Sequence, residues 1–183
     1  MMLAYYRNPL NQIFFNEGLV IVSMQSFGND EAWSGGITAD DLFKRTCFLS
    51  NLLQKEEVQR FRITEKNRAY FDQLLKVMLE RKIMLSIDKR LVLKVGAETF
   101  ILFVSSLIWP MVDSYYATLL FTVSMAIGKE GSSASVEASE IIKRIQWVSE
   151  SLYDERVLKL FEACNIESIK NAVATFREMG VIQ

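Results

Sequence analysis

The run "FILFVSSLIWPMVDSYYATLLF", from Phe100 to Phe121, limits the folds open to this chain more than any other stretch. A helix that crosses a bilayer needs ~20 predominantly apolar residues in succession. Phe100–Val112 supplies thirteen before Asp113 interrupts them. A carboxylate near the bilayer centre costs about 3 kcal/mol, and Pro110 removes a backbone donor and bends whatever helix contains it. The segment therefore predicts two helices, or one kinked helix, buried in protein rather than a simple span. Asp113 then has two readings: a buried carboxylate of raised pKa that serves as acid or base, or a hydrogen-bonded helix-start residue after Pro110, partnered by a tyrosine hydroxyl or a backbone N–H. The second leads, because structural networks perturb carboxylates as well.

Half of the 183 residues are hydrophobic, enough for a sizeable core in one domain or two small packed ones. With two prolines and eight glycines the chain is too poor in turn formers for a disordered or all-β protein. Its net charge of −1 gives no reason to expect a nucleic-acid partner. Cys47 and Cys164 each sit in an apolar helical context and read as small buried hydrophobes of a reducing compartment. Two thiols without histidine do not complete a zinc site, so no metal is expected. The absence of histidine also rules out Ser–His and Cys–His pairs within this chain, while leaving a carboxylate or lysine base open.

Periodicity gives a mostly α multi-helix chain with at least one β-hairpin. An apolar helix is predicted over Leu10–Phe27, its run interrupted by Asn16, Glu17 and Gly18, followed by a loop over Gly28–Gly36. Thr38 and Asp41 have capping-box spacing, ahead of Leu42, Thr46, Leu49 and Leu53. Thr64 caps a helix whose stripe is Phe71, Leu74, Leu75, Met78 and Leu79. The period then changes to two. Ile83–Ile87 and Leu91–Val95 read as strands joined by the three-residue turn Asp88–Arg90, with Ile83, Leu85 and Ile87 on the side of Leu91, Leu93 and Val95. Helix plus hairpin suggests a winged-helix-like unit. Its helix mixes Lys66, Arg68, Lys76, Arg81 and Lys82 with Glu65, Asp72 and Glu80, a solvated face rather than a nucleic-acid stripe.

Gly128–Ser135 reads as a linker between possible sub-units 1–127 and 136–183. Ser135 is the expected cap of a helix lined by Ala138, Ile141, Ile142, Ile145, Val148 and Leu152. Asn165 caps the last helix, with Ile169, Ala172, Val173 and Phe176 inward and Gly180 at the stop position. "MGVIQ" reads as the opening of a further strand, and both ends look cut from something longer. Within "YYRN", Arg7 can grip a phosphate bidentately or pair with a carboxylate across an internal interface, and the structural role leads.

Four stretches in order carry a likeness: "YYRNPLNQIFFNEGLVIVS", "LFKRTCFLSNLLQKE", "FILFVSSLIWPMVDSYYATLLF" and "SIKNAVATFREMGVI". Together they make the chain similar to the C-terminal region of the glycerol-3-phosphate and dihydroxyacetone-phosphate acyltransferases, nearest the mitochondrial glycerol-3-phosphate type. The resemblance rests on a Tyr-x-x-Asn pair at Tyr5 and Asn8, on Pro110, Asp113 and Tyr115, and on Lys170, Asn171 and Ala172 before Gly180 and Val181. The family's histidine near Gln12 is absent, as is the H-x-x-x-x-D motif that supplies the base in its N-terminal catalytic domain. Phe15–Gly18 matches an F-x-E-G word but lacks the arginine and serine that follow it in the family. No catalytic, cofactor or metal residue is carried over. Tyr6, Arg7, Asn8, Asp113, Tyr115, Lys170 and Asn171 remain as candidate structural or interface residues.

What the resemblance implies is the non-catalytic helical part of a larger enzyme that moves an acyl group from acyl-CoA to the sn-1 hydroxyl of glycerol 3-phosphate. Its partner would be the catalytic domain of the same full-length chain, through which acyl-CoA and glycerol 3-phosphate are met. Peripheral membrane contact, at the mitochondrial outer membrane or else the peroxisome or endoplasmic reticulum, is the implied setting. The alternatives are a free-standing helical module that binds a partner protein, and the equivalent part of a dihydroxyacetone-phosphate acyltransferase.

Overall fold

A computed structural model describes the backbone of residues 2–56, 62–127 and 137–182, and the side chains of 13–56, 62–126, 137 and 139–182. The chain divides into two compact units, Met1–Ile108 and Trp109–Gln183. The linker expected at 128–135 and the cap expected at Ser135 lie outside the described residues.

In the first unit, helix α1 runs unbroken over Met2–Gln25. The polar trio that interrupts its apolar run does not interrupt the helix. Asn16 Nδ2 donates to the Tyr70 hydroxyl at 2.8 Å, which ties α1 to a later helix, and Gly18 is buried where the helix beginning at Glu98 comes close. A Cβ on Gly18 would lie 2.5 Å from Ile108 Cγ1 and 3.2 Å from the Val104 carbonyl oxygen. Beyond α1, the stretch expected as plain loop closes a π-helical turn at Glu31–Gly35, with the Gly36 N–H donating to the Glu31 carbonyl and Ala32 buried.

Strand β1 (Ile37–Thr38) leads into helix α2 (Ala39–Leu52). The Thr38 cap forms as its sequence predicts, accepting from the Asp41 N–H at 3.1 Å. Thr64 N–H and hydroxyl both donate to Asn67 Oδ1, at 2.7 and 3.2 Å, across a single 3-10 turn at Glu65–Asn67 that enters helix α3 (Arg68–Glu80). Arg68 pairs with Asp40 at 2.8 Å and with Asp72 at 2.9 Å while lying over the Phe43 ring, which holds α2 against α3.

Strands β2 (Met84–Ile87) and β3 (Arg90–Leu93) form the predicted hairpin, with a corrected turn. Only Asp88 and Lys89 bridge the strands, both with positive φ (50° and 63°), the pattern of a type I′ turn. Arg90 is therefore a strand residue paired with Ile87. Losing one residue from the turn inverts the expected facing, because strand side chains alternate and directly opposed residues share a face. Leu91 and Leu93 stand with Ser86 and Met84, while Leu85 and Ile87 share the other face with Val92 and Arg90. Met84, Leu91 and Leu93 are buried, whereas Leu85, Ile87 and Val95 are exposed.

β1 pairs antiparallel with β3, giving a sheet of order β1-β3-β2. This pairing needs glycine at position 36: its φ is +77°, and a Cβ there would lie 2.6 Å from Arg90 Cβ. Helix, strand, two helices and a two-stranded wing follow one another in the order of a winged helix. The core beneath is built from Ile21, Met24, Phe71, Met78, Met84 and Ile101, among others.

Helix α4 (Glu98–Ile127) is a single helix with Pro110 inside it, not two helices, and Asp113 lies in its interior rather than at a start. Pro110 removes one ladder bond, at about 3 kcal/mol. Burial on both sides of the proline outweighs that loss. Val104, Leu107 and Ile108 before it, and Met111, Tyr115 and Ala117 after it, are all buried, and each large apolar side chain contributes about 1.5–3 kcal/mol.

The second unit comprises α4 from Trp109 onward, helix α5 (Ala138–Asp154) and helix α6 (Ile166–Glu178). Ile145, Ile169 and Val173 form its core with Phe121, Ile141 and Ile142 packed against them. The Asn165 cap forms, accepting from the Glu167 N–H at 2.9 Å. Gly180 ends α6 at φ +73°, with its N–H donating to Arg177 and the Val181 N–H to Phe176. Val181 and Ile182 are spent on this closure, and the strand expected there does not form among the described residues.

Candidate functional site

Tyr6, Arg7 and Asn8 fall on α1 but outside the residues whose side chains are described. The other four sequence candidates lie in the second unit, on α4 and α6. Tyr115 is 2% exposed and sets its ring edge-on to Phe176, with centroids 5.9 Å apart, so it joins α4 to α6. Beside it, the Ser114 hydroxyl reaches the Pro110 carbonyl at 2.9 Å and the Ala163 carbonyl at 2.6 Å, from a fully buried position. This serine fastens α4 to the turn before α6.

Asp113 is half-buried. Burial pushes its carboxyl above the ordinary 3.8, and the positive charge of Lys159 pulls it back down. Lys170 is turned to solvent and pairs with Glu167 at 2.7 Å, one turn away on its own helix. Such an exposed pair contributes less than about 1 kcal/mol. The structure thus gives Asp113 a lysine from the segment after α5 as its charge partner, while Lys170 satisfies itself locally.

Lys159 is the residue that sequence reasoning missed. It lines a groove of about 410 Å³ with Tyr153, Asp154, Arg156 and Leu158, where α5 ends. The Arg156 N–H donates to the Tyr153 carbonyl and the Val157 N–H to the Leu152 carbonyl, both at 2.9 Å. This is the same left-handed closure that Gly180 makes on α6, with arginine at φ +61° in the glycine position. No local word marks it, since the usual glycine signal is absent.

Chemically, the groove offers two cations and one carboxylate in an open setting, enough to hold an anion loosely. The raised pKa of Asp113 follows from burial and is not by itself a proton-transfer site. Cys164, also buried, is held as a neutral thiol, its pKa pushed up to about 11 by burial and by the charges of Glu150 and Asp154. Cys47 is likewise raised, chiefly by burial. Both thiols are free. Among the described residues no three His, Cys, Asp or Glu side chains are grouped so as to hold a metal ion.

Fold and site define a mostly helical chain with a small antiparallel sheet, whose most perturbed groups are shifted chiefly by burial. The chain belongs to the glycerol-3-phosphate acyltransferase C-terminal region family, whose sequence model matches residues 1–183. It is therefore part of a glycerol-3-phosphate acyltransferase. No curated protein sequence matches it.

Proposed function

We propose that this chain is the non-catalytic C-terminal part of a glycerol-3-phosphate 1-O-acyltransferase, and that it packs on the catalytic domain and steadies it. Family membership over the whole chain carries the reading. Deprotonating the acceptor hydroxyl requires a base, and holding the thioester oxyanion requires convergent donors. With no histidine and with Asp113 set in a packed helix, that chemistry falls to another domain. A surface suited to packing is present, because the part of α4 in the second unit leaves Tyr116, Leu119, Leu120 and Val123 exposed.

The enzyme works at a membrane, in this reading the mitochondrial outer membrane, where long-chain acyl substrate and lipid product reside. Glu98–Ala126 is long and apolar enough to cross a bilayer by length and composition, but 56% of its apolar window is buried inside the protein. Together with Pro110 and Asp113, this favours a peripheral seat over a span.

The test is acyl transfer from acyl-CoA to glycerol 3-phosphate by the purified chain, alone and mixed with a separately expressed catalytic domain of the family. The chain alone is expected to turn over nothing, and in the mixture it should bind the catalytic domain and lengthen its active half-life at elevated temperature. Robust turnover by the chain alone, lost in Asp113→Asn, would overturn the assignment.

A further inference from the structure

The hairpin of the first unit has a composition that its fold does not require. Residues 81–95 hold five cations, Arg81, Lys82, Lys89, Arg90 and Lys94, against the single anion Asp88, a net +4. The whole chain carries −1, so the remaining residues sum to −5 and the positive charge is concentrated on this one element. The nearest flanking acids are engaged elsewhere: Glu80 lies 4.0 Å from Lys76, and Glu98 accepts from the Gly96 N–H. Among the cations, Arg90 also donates to the Gly36 carbonyl at 3.2 Å.

Amid these charges stand bare apolar side chains. Leu85 is 39% exposed and Ile87 53%, on the same face as Arg90. Val95, two residues beyond the end of β3, is 73% exposed. β2 is also an outer strand of the sheet. Ordinary edge strands limit exposed apolar surface.

The backbone supplies an independent observation. Lys82 ends α3 at φ +55°, with its N–H donating to the Leu79 carbonyl and the Ile83 N–H to Met78, and Lys89 occupies the turn at φ +63°. Glycine is the residue such positions favour. Two lysines thus hold strained sites that glycine would fill more cheaply, and strain of this kind concentrates where a side chain is needed for function.

We propose that this hairpin face docks the protein on an anionic lipid surface, with Leu85 and Ile87 entering the headgroup boundary and the surrounding lysines and arginines meeting lipid phosphates. Apolar tips ringed by cations match such a surface, which attracts basic groups and accepts shallow apolar insertion. A nucleic acid is the poorer occupant. The face of α3 that a winged helix would lay in a groove carries Asp72 and Glu80 beside its cations, and exposed Leu85 and Ile87 gain nothing against a phosphate backbone. The proposal deepens the peripheral membrane seat argued above and rests on it.

The experiment is flotation of the full 183-residue chain with vesicles of phosphatidylcholine alone, and of phosphatidylcholine containing phosphatidylserine at about 30% to supply the surface charge. The chain should float with the anionic vesicles, stay behind with the neutral ones, and be released by about 0.5 M salt. Lys82→Gly and Lys89→Gly should each lower the partition coefficient about fivefold, yet raise the melting temperature by roughly 2 °C, a pairing that a merely structural role for these lysines does not produce. Leu85→Ser with Ile87→Ser should lower binding at unchanged fold, read by circular dichroism. Unaltered binding in the lysine variants would sink the proposal, as would binding to a DNA duplex in preference to lipid. If Leu119→Ser with Leu120→Ser on α4 abolishes flotation while hairpin variants retain it, the membrane seat stands and the hairpin assignment falls. None of these readouts involves acyl transfer, so the catalytic reading is tested separately.

Discussion

Replacing Gly18 by alanine tests the packing of α1 on α4 directly. The new Cβ would lie 2.5 Å from Ile108 Cγ1, where carbon contacts settle at about 3.5–4.0 Å. The gap must open by about 1 Å. Ile108 is fully buried, so its side chain has little room to yield, and the second neighbour, the Val104 carbonyl at 3.2 Å, is backbone. Overpacking of this kind costs about 1–3 kcal/mol. Against it stands the helix preference for alanine over glycine, about 1 kcal/mol. The net expectation for Gly18→Ala is a loss of about 0–2 kcal/mol. Ile108→Ala alone should cost about 2–5 kcal/mol by leaving a cavity. In the double variant the new methyl enters that cavity, so its loss should fall at least 1 kcal/mol short of the sum of the singles. Urea unfolding followed by circular dichroism, with equal slopes across the four proteins, measures the cycle. A stabilised Gly18→Ala, or strictly additive losses, would refute the close approach, since propensity alone would then account for the substitution.

Ser114→Ala should destabilise the second unit by about 1–3 kcal/mol, because the buried Ala163 carbonyl loses its 2.6 Å donor; denaturant melts of the variant measure it. Asp113 has a folded pKa raised above its ordinary 3.8, so the folded state holds the proton more tightly, and stability should fall as pH rises from 3.8 through the folded value. Asp113→Asn should consequently stabilise the chain at pH 7, with the advantage vanishing below pH 3.8; a loss of stability at pH 7 would show that the Lys159 interaction outweighs burial. At pH 8, Cys164 should react with iodoacetamide at least about 100-fold more slowly in the native chain than in urea, the change in thiolate fraction between a pKa of 9.0 and one of about 11 setting the lower limit and burial slowing it further, as quench-and-mass analysis would show.

What could be read from the chain was chemistry that acts over a few residues. The caps at Thr38 and Asn165 and the stop at Gly180 depend on neighbours within one turn, and all three formed. The hairpin was legible as a change of period, but its turn was not. Asp88-Lys89 lacks the glycine that marks a type I′ turn, so one residue too many was assigned to it and every facing was reversed. Pro110 and Asp113 look like helix boundaries locally, and only burial on both sides of them keeps α4 whole. Gly18 looks like a weak point in α1 because its purpose lies ninety residues away, at Ile108. The candidate site shows the same division. Asp113 and Tyr115 were visible as polar groups in an apolar run, but Lys159, which sets the charge opposite Asp113, belongs to another segment and has no local signature.

The two sulfhydryl groups have a practical consequence. Cys47 is enclosed in the first unit and Cys164 in the second, each 4% exposed or less. An alkylating reagent reaches either only when its own surroundings breathe, so the trapping rate at each position is a separate gauge of local opening. A single peptide digest therefore tells whether the halves of this molecule come apart together or one at a time.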